Sequence, residues 1–363
     1  DIYENSASCD QTVIVNDTEN PSITCPTNIE QSNDGDLCGA SIDVGAPTTA
    51  DNCGVATVTG VRNDGLALTA NYPVGTTTIT WTVVDIYENS ASCDQTVIVN
   101  DTENPSITCP ANINQSNDTG LCGASIEIGE PTTTDNCGVA SVTGVRDDGL
   151  ALTANYPVGT TTITWTVVDI YENSASCDQT VIVNDTENPS ITCPTNIDQS
   201  NDTGLCGASI DVGEPTTNDN CGVASVTGVR DDGLALSDNY PVGTTTITWT
   251  VIDIYENSAS CDQTVIVNDT ENPSITCPAN INQSNDSGLC GANIEIGEPT
   301  TTDNCGVASV TGVRDDGLAL TADYPVGTTT ITWTVIDIYT NSASCDQTII
   351  VNDTENPSIT CPA

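Results

Sequence analysis

The sequence predicts an all-β protein in which small β-sandwich domains follow one another in a head-to-tail rod. A segment that begins at Asp1 and ends at Cys9 recurs every 84 residues, four cysteines recur in each period, and short segments alternate apolar with polar residues. Later copies of the segment begin at Asp85, Asp169, Asp253 and Asp337. A period of 84 residues is too long for one coil of a solenoid and suits a small independent domain. An array of domains is therefore favoured.

The period divides the 363 residues into four complete repeats and two flanking segments. The predicted repeats are 17–100 (repeat 1), 101–184 (repeat 2), 185–268 (repeat 3) and 269–352 (repeat 4). Residues 1–16 are expected to supply the last strand of a preceding repeat, and residues 353–363 the first strand of a following one. The chain is thus interpreted as a window on a longer polypeptide, and any export signal or anchor is expected outside it.

Within repeat 1, about seven short segments have the composition and alternation of β-strands. In the clearest, which runs from Thr76 to Val84, every second residue is a threonine and most of the others are apolar. Further strands are expected at Ser22–Cys25, Cys38–Val44, Val55–Val61 and Ser92–Val99, with 28–31 continuing the first strand and 47–52 as a loop. Strands at about 8–12-residue spacing, rich in Val, Ile and Thr and without helical periodicity, predict a sandwich.

The cysteine pattern indicates disulfides formed in an oxidising compartment, and hence an extracellular or cell-surface location. Zinc requires closely spaced cysteine pairs or histidines, whereas the spacings from Cys25 onward are 13, 15 and 40 residues and histidine is absent. The cysteines expected in disulfides are Cys25, Cys38, Cys53, Cys93, Cys109, Cys122, Cys137, Cys177, Cys193, Cys206, Cys221, Cys261, Cys277, Cys290, Cys305 and Cys345.

The charge balance excludes several functions. The chain has 51 acidic residues against four arginines, with a formal net charge of −47, so a nucleic-acid partner is excluded. No segment is long and apolar enough to predict membrane insertion. Without histidine or lysine, general-base and nucleophilic catalysis lack their usual groups, so no enzyme is predicted. The acids are interpreted either as a solvated, repulsive surface or as oxygen ligands for calcium.

Four motifs in repeat 1 resemble the hyalin repeat, or HYR domain. They are Pro21-Ser-Ile-Thr-Cys-Pro, Asp51-Asn-Cys-Gly-Val, Pro73-Val-Gly-Thr-Thr-Thr-Ile-Thr-Trp-Thr and Asn89-Ser-Ala-Ser-Cys, and the resemblance covers every period. It implies an immunoglobulin-like sandwich, as found in extracellular adhesion proteins and long bacterial surface adhesins. Thr and Trp stand where the family often has Phe or Tyr, which changes the volume of the core. The family supplies no shared active site and no common ligand.

The strand order implied by this resemblance gathers three acidic loops at one pole of each repeat, beside the preceding repeat. In repeat 1 they are 17–21, 51–52 and 85–89, and together they predict a calcium site, although Asp and Asn also favour turns without any metal. The candidate ligands are Asp17, Glu19, Asp51, Asp85, Glu88, Asp101, Glu103, Asp135, Asp169, Glu172, Asp185, Glu187, Asp219, Asp253, Glu256, Asp269, Glu271, Asp303 and Asp337. Thr340 replaces the glutamate in repeat 4. A second group, Asn33, Asp34 and Asp64, is interpreted as exposed turns at the opposite pole.

The same implied order favours a Cys53–Cys93 disulfide, because both residues are expected near the acidic pole. That leaves Cys25 to pair with Cys38, although a tight hairpin would not place those two residues opposite each other. Four cysteines allow three connectivities, and the sequence alone does not decide among them.

Two functions fit these observations. The first is a structural segment of an extracellular fibre or adhesin stalk, with calcium-stiffened junctions. Its partners would be the neighbouring repeats of the same long chain, with lateral copies in a fibre. The second is a repeated binding module that presents the outward ladder Thr76, Thr78, Thr80 and Thr82 to a glycan, a protein or ice. An ordinary solvated strand face is the simpler interpretation of that ladder.

Overall fold

A computed structural model describes residues 2–360 of the chain, and within that range the regular elements are β-strands. Repeat 1 contains β1 (Ser22–Thr24), β2 (Ile29–Ser32), β3 (Gly39–Ala40), β4 (Thr48–Ala50), β5 (Val55–Arg62), β6 (Tyr72–Pro73), β7 (Gly75–Asp85) and β8 (Ser90–Asn100). Repeat 2 contains β9 (Ser106–Thr108), β10 (Ile113–Ser116), β11 (Gly123–Ala124), β12 (Thr132–Thr134), β13 (Val139–Arg146), β14 (Tyr156–Pro157), β15 (Gly159–Asp169) and β16 (Ser174–Asn184).

The second half of the chain repeats this order. Repeat 3 contains β17 (Ser190–Thr192), β18 (Ile197–Ser200), β19 (Gly207–Ala208), β20 (Thr216–Asn218), β21 (Val223–Arg230), β22 (Tyr240–Pro241), β23 (Gly243–Asp253) and β24 (Ser258–Asn268). Repeat 4 contains β25 (Ser274–Thr276), β26 (Ile281–Ser284), β27 (Gly291–Ala292), β28 (Thr300–Thr302), β29 (Val307–Arg314), β30 (Tyr324–Pro325), β31 (Gly327–Asp337) and β32 (Ser342–Asn352).

Each repeat is a β-sandwich with one continuous and one divided sheet. In repeat 1 the continuous sheet has the order β2-β8-β7-β5, in which β7 is antiparallel to both β8 and β5 and β2 runs parallel to β8. The divided sheet consists of the antiparallel pairs β1-β4 and β3-β6. The other three repeats have the same pairings. The predicted fold class, all-β with β-sandwich domains in tandem, is confirmed.

The short strands depart from the sequence prediction. Each repeat has eight strands, two of them only two residues long, where about seven were expected. Residues 29–32 do not continue the first strand, because they form a separate strand that joins the other sheet beside β8. The predicted strand 38–44 is reduced to Gly39–Ala40, and the predicted loop 47–52 contains β4.

The flanking segments do not form the strands predicted for them within the described residues. Residues 5–16 have the same sequence as 89–100, the segment that contains β8, yet they are exposed and without strand structure. In the complete repeats that strand lies between β7 and β2, and residues 5–16 have neither neighbour. Residues 353–360 likewise contain no strand, and residues 361–363 lie outside the described part of the chain.

The core lies where the alternating residues of β7 and β8 meet the divided sheet. Ile79, Trp81 and Val97 are buried there against Ala40 and Tyr72. The long strands alternate because one face packs on the core while the other meets solvent.

One polar group is built into this core. The indole N–H of Trp81 donates to the side-chain oxygen of Gln95, at 3.0 Å, and Gln95 is fully buried. The Gln95 amide nitrogen in turn donates to backbone carbonyls of two loops, so the group is satisfied rather than left unpaired. A Cβ atom at Gly60 would lie 2.8 Å from the Trp81 ring, which explains the glycine in the middle of β5.

Each repeat also buries its only cation. In repeat 3, Arg230 is 2% exposed, and its guanidinium lies 3.8 Å from the centroid of the Tyr240 ring. Arg230 pairs with Asp232 and donates to three carbonyls of the loop that follows β21. Those carbonyls belong to Ala235, Asp238 and Asn239, at 2.9, 2.9 and 3.2 Å. The arginine therefore closes the loop that leads into β22.

Replacing this arginine tests its role. Arg230→Met removes the donor that satisfies Asp232 and three carbonyls of this loop, so the free energy of unfolding of repeat 3 should fall by about 1–3 kcal/mol. Hydrogen exchange of the repeat 3 amides measures that loss. Leu234→Ala, at a residue of the same loop that is 50% exposed, is the matched control and should change little. Equal protection in the two variants would show that Arg230 does not hold the loop.

The Arg230–Asp232 pair also predicts a dependence on pH. The hydrogen bond from Arg230 holds the pKa of Asp232 below its ordinary value, although burial opposes the shift. A carboxyl group with a lowered folded-state pKa stabilises the protein above its unfolded pKa, and that stability is lost as the pH falls through the folded pKa. In chelator, Asp232→Asn should therefore show a shallower loss of melting temperature below about pH 4 than the parent chain. Identical slopes in calorimetric scans would contradict the assignment.

Candidate functional site

Three aspartates from separate loops meet in every repeat. In repeat 2, single carboxylate oxygens of Asp101, Asp135 and Asp169 all lie within 4.8 Å of one another. Asp101 follows the last strand of repeat 1, Asp135 follows β12, and Asp169 ends β15. The other triads are Asp17, Asp51 and Asp85; Asp185, Asp219 and Asp253; and Asp269, Asp303 and Asp337. The structure therefore brings together all twelve aspartates that the sequence analysis selected.

Part of each carboxylate stabilises its own loop. Asp135 Oδ2 accepts hydrogen bonds from the backbone N–H groups of Cys137 and Gly138, both at 2.8 Å. Asp169 Oδ1 accepts from the N–H groups of Tyr171 and Asn173, at 2.7 and 2.9 Å. These are local side-chain-to-backbone turns, which Asp forms readily. Loop stabilisation therefore accounts for some of the carboxylate oxygens.

Other carboxylate oxygens in the triads have no such role. Asp101 is 9% exposed, and its Oδ2 atom is buried without a hydrogen-bond partner. Asp135 Oδ1 is also buried and unpaired. The same two atoms are unpaired at Asp17 and Asp51, at Asp185 and Asp219, and at Asp269 and Asp303. Buried polar atoms without partners are rare in folded proteins, so these oxygens point to an ion or other ligand.

The chain has no cationic side chain to balance these carboxylates. Its four cations are the arginines, and each is already paired with the aspartate two residues further on and stacked on a tyrosine ring. Burying several carboxylates together costs several kcal/mol per charge unless a cation compensates them. The electrostatics of the triads therefore favour cation binding.

The geometry fits a hard, oxygen-coordinated cation. Calcium takes six to eight oxygens at about 2.3–2.6 Å, so its ligand atoms lie within about 5 Å of one another. Asn136, which the sequence analysis did not include, supplies another buried and unpaired oxygen, Oδ1, next to Asp135. In repeats 3 and 4 the amide nitrogens of its equivalents, Asn220 and Asn304, donate to Oδ1 of the first aspartate of their triads, at 3.4 and 3.5 Å. In the sequence, the Asp-Asn-Cys-Gly motif that recurs in every repeat could have identified this asparagine as a candidate ligand.

None of the glutamates proposed as ligands belongs to a triad among the described residues. They are Glu19, Glu88, Glu103, Glu172, Glu187, Glu256 and Glu271. Glu88, Glu172 and Glu256 instead occupy a left-handed turn position with φ of 72–74°, which Thr340 shares in repeat 4. The carboxylates of Glu103 and Glu271 contact the preceding repeat, where they accept hydrogen bonds from the backbone N–H groups of Asp36 and Gly204.

Asp85, the aspartate that ends β7, accepts several hydrogen bonds from the turn that follows it. Burial raises the pKa of Asp85, but hydrogen bonds from the side chain and backbone of Asn89 and from the N–H groups of Tyr87 and Glu88 outweigh it and lower that pKa overall. Asp85 is consequently ionised at neutral pH and available to a cation.

The disulfide within each repeat corrects the predicted pairing. Cys25 bonds to Cys93 rather than to Cys38, so the favoured Cys25–Cys38 and Cys53–Cys93 bonds are wrong. Cys25 follows β1 of the divided sheet and Cys93 lies in β8 of the continuous sheet, so the bond joins the two layers beside the core. The equivalent bonds are Cys109–Cys177, Cys193–Cys261 and Cys277–Cys345.

The second kind of disulfide links successive repeats. Cys38 of repeat 1 bonds to Cys137 of repeat 2, and Cys206 of repeat 3 bonds to Cys305 of repeat 4, each across 99 residues. The favoured pairings both lay within one repeat, so these bonds between repeats were not predicted. Closing loops of this length contributes on the order of 4–5 kcal/mol in the chain-entropy model. Cys122 and Cys221 are also disulfide-bonded, whereas Cys9, Cys53 and Cys290 are free and exposed.

Strand direction explains the bonds between repeats. Because β2 runs parallel to β8, it carries loop 33–38 to the end of the sandwich where the chain leaves for the next repeat. Asn33 Oδ1 accepts there from the N–H of Thr102, and the Asn136 amide donates to the carbonyl of Leu37, at 3.2 and 3.0 Å. This loop, interpreted from the sequence as an exposed turn, is thus part of a junction. Asp64, from the same predicted group, pairs with Arg62 instead.

The free thiol of Cys53 lies against the triad of repeat 1. The hydrogen bond to Asp17, followed by burial and the charges of Asp17, Asp51 and Asp85, raises the pKa of Cys53 to about 11. The thiol is therefore protonated at neutral pH.

The threonine ladder occupies the outer face of β7. Thr76 and Thr80 are exposed, and Thr78 and Thr82 are half-buried. The Thr80 hydroxyl donates to Asp94 Oδ1 at 2.8 Å, so part of the ladder is already hydrogen-bonded to β8. This is the arrangement of a solvated strand face.

Comparison with known proteins identifies the family. Residues 16–99, 100–183, 184–267 and 268–351 each match the HYR domain, so the chain belongs to the HYR family and the resemblance seen in its motifs is confirmed. Hyalin from Strongylocentrotus purpuratus is 32% identical over 96% of this chain, which spans 29% of that protein. Hyalin from Lytechinus variegatus is 32% identical over 99% of this chain and 69% of its own length.

Among solved structures, domains 3–6 of protocadherin gamma B2 are 12% identical, with 93% of this chain and all of that chain aligned at a TM-score of 0.32. Domains 1–4 of Drosophila N-cadherin align over 90% of this chain and all of theirs, with 10% identity and a TM-score of 0.29. The described residues contain no helix long and apolar enough to cross a membrane.

The disulfide pattern predicts a definite peptide map. After native alkylation and digestion without reduction, mass spectrometry should find Cys38 linked to Cys137 and Cys206 linked to Cys305, with Cys53 and Cys290 alkylated, because only the latter two lack a partner in these repeats. The Cys25–Cys93 peptide is the internal control for intact folding. Linkage of Cys38 to Cys53 would contradict the structure.

Proposed function

We propose that this chain is a segment of an extracellular fibre or adhesin stalk whose repeats are joined by the peptide linker, a disulfide and calcium. The buried, unpaired oxygens of the aspartate triads carry the proposal, because turn formation leaves them without a function. The proposed repeating units are 17–100, 101–184, 185–268 and 269–352, and the partners are neighbouring repeats of the same chain. Similarity to hyalin and the disulfide content support the extracellular location.

The contacts of the linker between repeats 1 and 2 support a role in stiffening. Asp101 belongs to the triad of repeat 2, whereas the next two residues bind repeat 1. The Thr102 N–H donates to Asn33, and the Glu103 carboxylate accepts from Asp36, at 3.2 and 3.0 Å. A cation that ties Asp101 to the other two aspartates therefore fixes where the linker enters repeat 2.

The disulfide acts on the same loop as the proposed cation. Cys137 follows Asp135 by two residues, and its N–H bonds to the Asp135 carboxylate. Its bond to Cys38 ties this loop to repeat 1, while Asn136 adds a hydrogen bond to Leu37. Peptide, disulfide and cation thus converge on one small region, which is how a junction between small domains resists bending.

The chemistry of the triads favours calcium over other metals. The donors in the described triads are carboxylate and amide oxygens, which suit a hard cation rather than zinc. Calcium sites of extracellular modules bind with dissociation constants of about 10⁻⁴–10⁻³ M, a range that extracellular calcium fills. Asp101, Asp135, Asp169 and Asn136 would hold the ion in repeat 2, and the ion would supply the positive charge that the chain lacks there.

Calcium titration tests the proposal. The parent chain should bind calcium at its triads and melt at a higher temperature in calcium than in chelator, because binding to the folded form stabilises it. Asp135→Asn keeps an oxygen that can accept the loop hydrogen bonds, but an amide nitrogen replaces the unpaired carboxylate oxygen Oδ1. The calcium affinity at that triad should therefore fall roughly tenfold or more. Isothermal titration calorimetry measures the calcium affinities, and differential scanning calorimetry measures the melting temperatures.

Glu172→Gln is the matched control, because it removes one negative charge from the same pole outside the triad. It should leave the calcium affinity and the melting shift close to those of the parent chain. Absence of calcium binding at millimolar concentration, or equal losses in the two variants, would contradict a site at the triad.

A further inference from the structure

We propose that Cys53 and Cys290 are the two open halves of the disulfide that joins repeats, each fitted to the complementary cysteine of another copy of this repeat. Cys53 occupies the position of Cys137 and Cys305, and Cys290 the position of Cys38 and Cys206. The inference goes beyond the calcium-stiffened stalk and does not depend on calcium.

The turn around Cys53 already has the conformation of its bonded equivalents. The Cys53 N–H donates to Asp51 at 2.7 Å, as the Cys137 N–H does to Asp135 and the Cys305 N–H to Asp303, both at 2.8 Å. The following glycine N–H makes the same contact at 2.8 Å in each case. Cys53 is exposed at this turn, so the thiol is presented before any partner is bound.

The loop that precedes Cys290 already makes the linker contacts of a junction, although the disulfide is absent. The Glu355 carboxylate accepts from the N–H of Gly288, at 2.8 Å, and the Thr354 N–H donates to Asn285, at 3.1 Å. Glu271 and Thr270 make the same contacts with repeat 3, at 3.0 and 3.1 Å, where the disulfide is present. The linker side of the junction is therefore in place beside an exposed, free thiol.

The neighbouring carbonyl identifies the partner. Leu205 O accepts from Asn201 of its own loop and from Asn304 of the next repeat, both at 3.0 Å. Leu289 O, its equivalent beside Cys290, accepts from Asn285 of its own loop at 2.9 Å, but among the described residues it accepts no hydrogen bond from an asparagine of another repeat. An Asn-Cys pair supplies both the missing donor and the missing thiol. The partner is therefore a repeat with the Asp-Asn-Cys-Gly turn, rather than an arbitrary thiol.

Formation of the bond is an oxidation. The two thiols lose two protons and two electrons as the S–S bond forms. A small-molecule disulfide such as oxidised glutathione takes up the two electrons and the two protons and is released as two thiols. The exchange passes through a mixed disulfide between one protein thiol and glutathione.

The test supplies the missing partner. A second copy of residues 269–352 is inserted after Asn352, and the extended chain is oxidised with glutathione disulfide in the presence of chelator. Native alkylation of Cys290 should be lost, and a non-reduced digest should link Cys290 to the added cysteine equivalent to Cys305. Serine at that added position is the control and should restore alkylation. A copy of residues 17–100 inserted before Asp17 tests Cys53 in the same way.

Two results would overturn the inference. One is that Cys290 remains fully alkylated in the extended chain while Cys206–Cys305 is intact. The other is that Cys290 is recovered only as a mixed disulfide with glutathione. Since calcium is absent throughout, neither result bears on the triads, so failure here is distinct from failure of the proposed stalk function.

Discussion

The junctions between repeats 1 and 2 and between repeats 3 and 4 share an electrostatic constraint: three carboxylates of the second repeat lie within 4.8 Å of one another, and the chain keeps its cations elsewhere. The aspartates are fixed by the turns they stabilise, so they cannot separate without breaking those turns. The linker and the disulfide between repeats are attached to the same residues or to their immediate neighbours. The triad, the linker and the disulfide therefore lie close together at the junction between repeats 1 and 2.

A second constraint comes from strand direction. Pairing β2 parallel to β8 places loop 33–38 at the exit of the sandwich, where it meets the linker and the Asp-Asn-Cys-Gly turn of the following repeat. One pole of each repeat therefore carries the aspartates and the accepting cysteine, and the other pole carries the cysteine loop. The two poles differ and are complementary, so identical repeats can follow one another in a single direction.

The sequence was sufficient for the features that depend on strict periodicity. The all-β fold follows from the alternation in segments such as 76–84. The aspartates of the triads were selected through the resemblance to the HYR domain, which implies that three acidic loops meet at one pole. Disulfide pairing was predicted wrongly, because Cys53 and Cys93 were both placed near the acidic pole, whereas Cys93 bonds to Cys25 and Cys38 bonds to Cys137 of the next repeat. The glutamates were included because charge alone does not distinguish a ligand from a residue that caps a neighbouring loop. Strands of two or three residues carry too little alternation to be recognised.

The most direct test of this account is a crystal structure of the chain grown in calcium, with anomalous data to identify the ion. The account predicts one calcium ion at each triad, bonded to all three aspartates at about 2.3–2.6 Å. At the junction between repeats 1 and 2, the ion should lie beside an intact Cys38–Cys137 bond. Triads that hold only water in millimolar calcium, or calcium bound at the glutamates outside the triads, would contradict it.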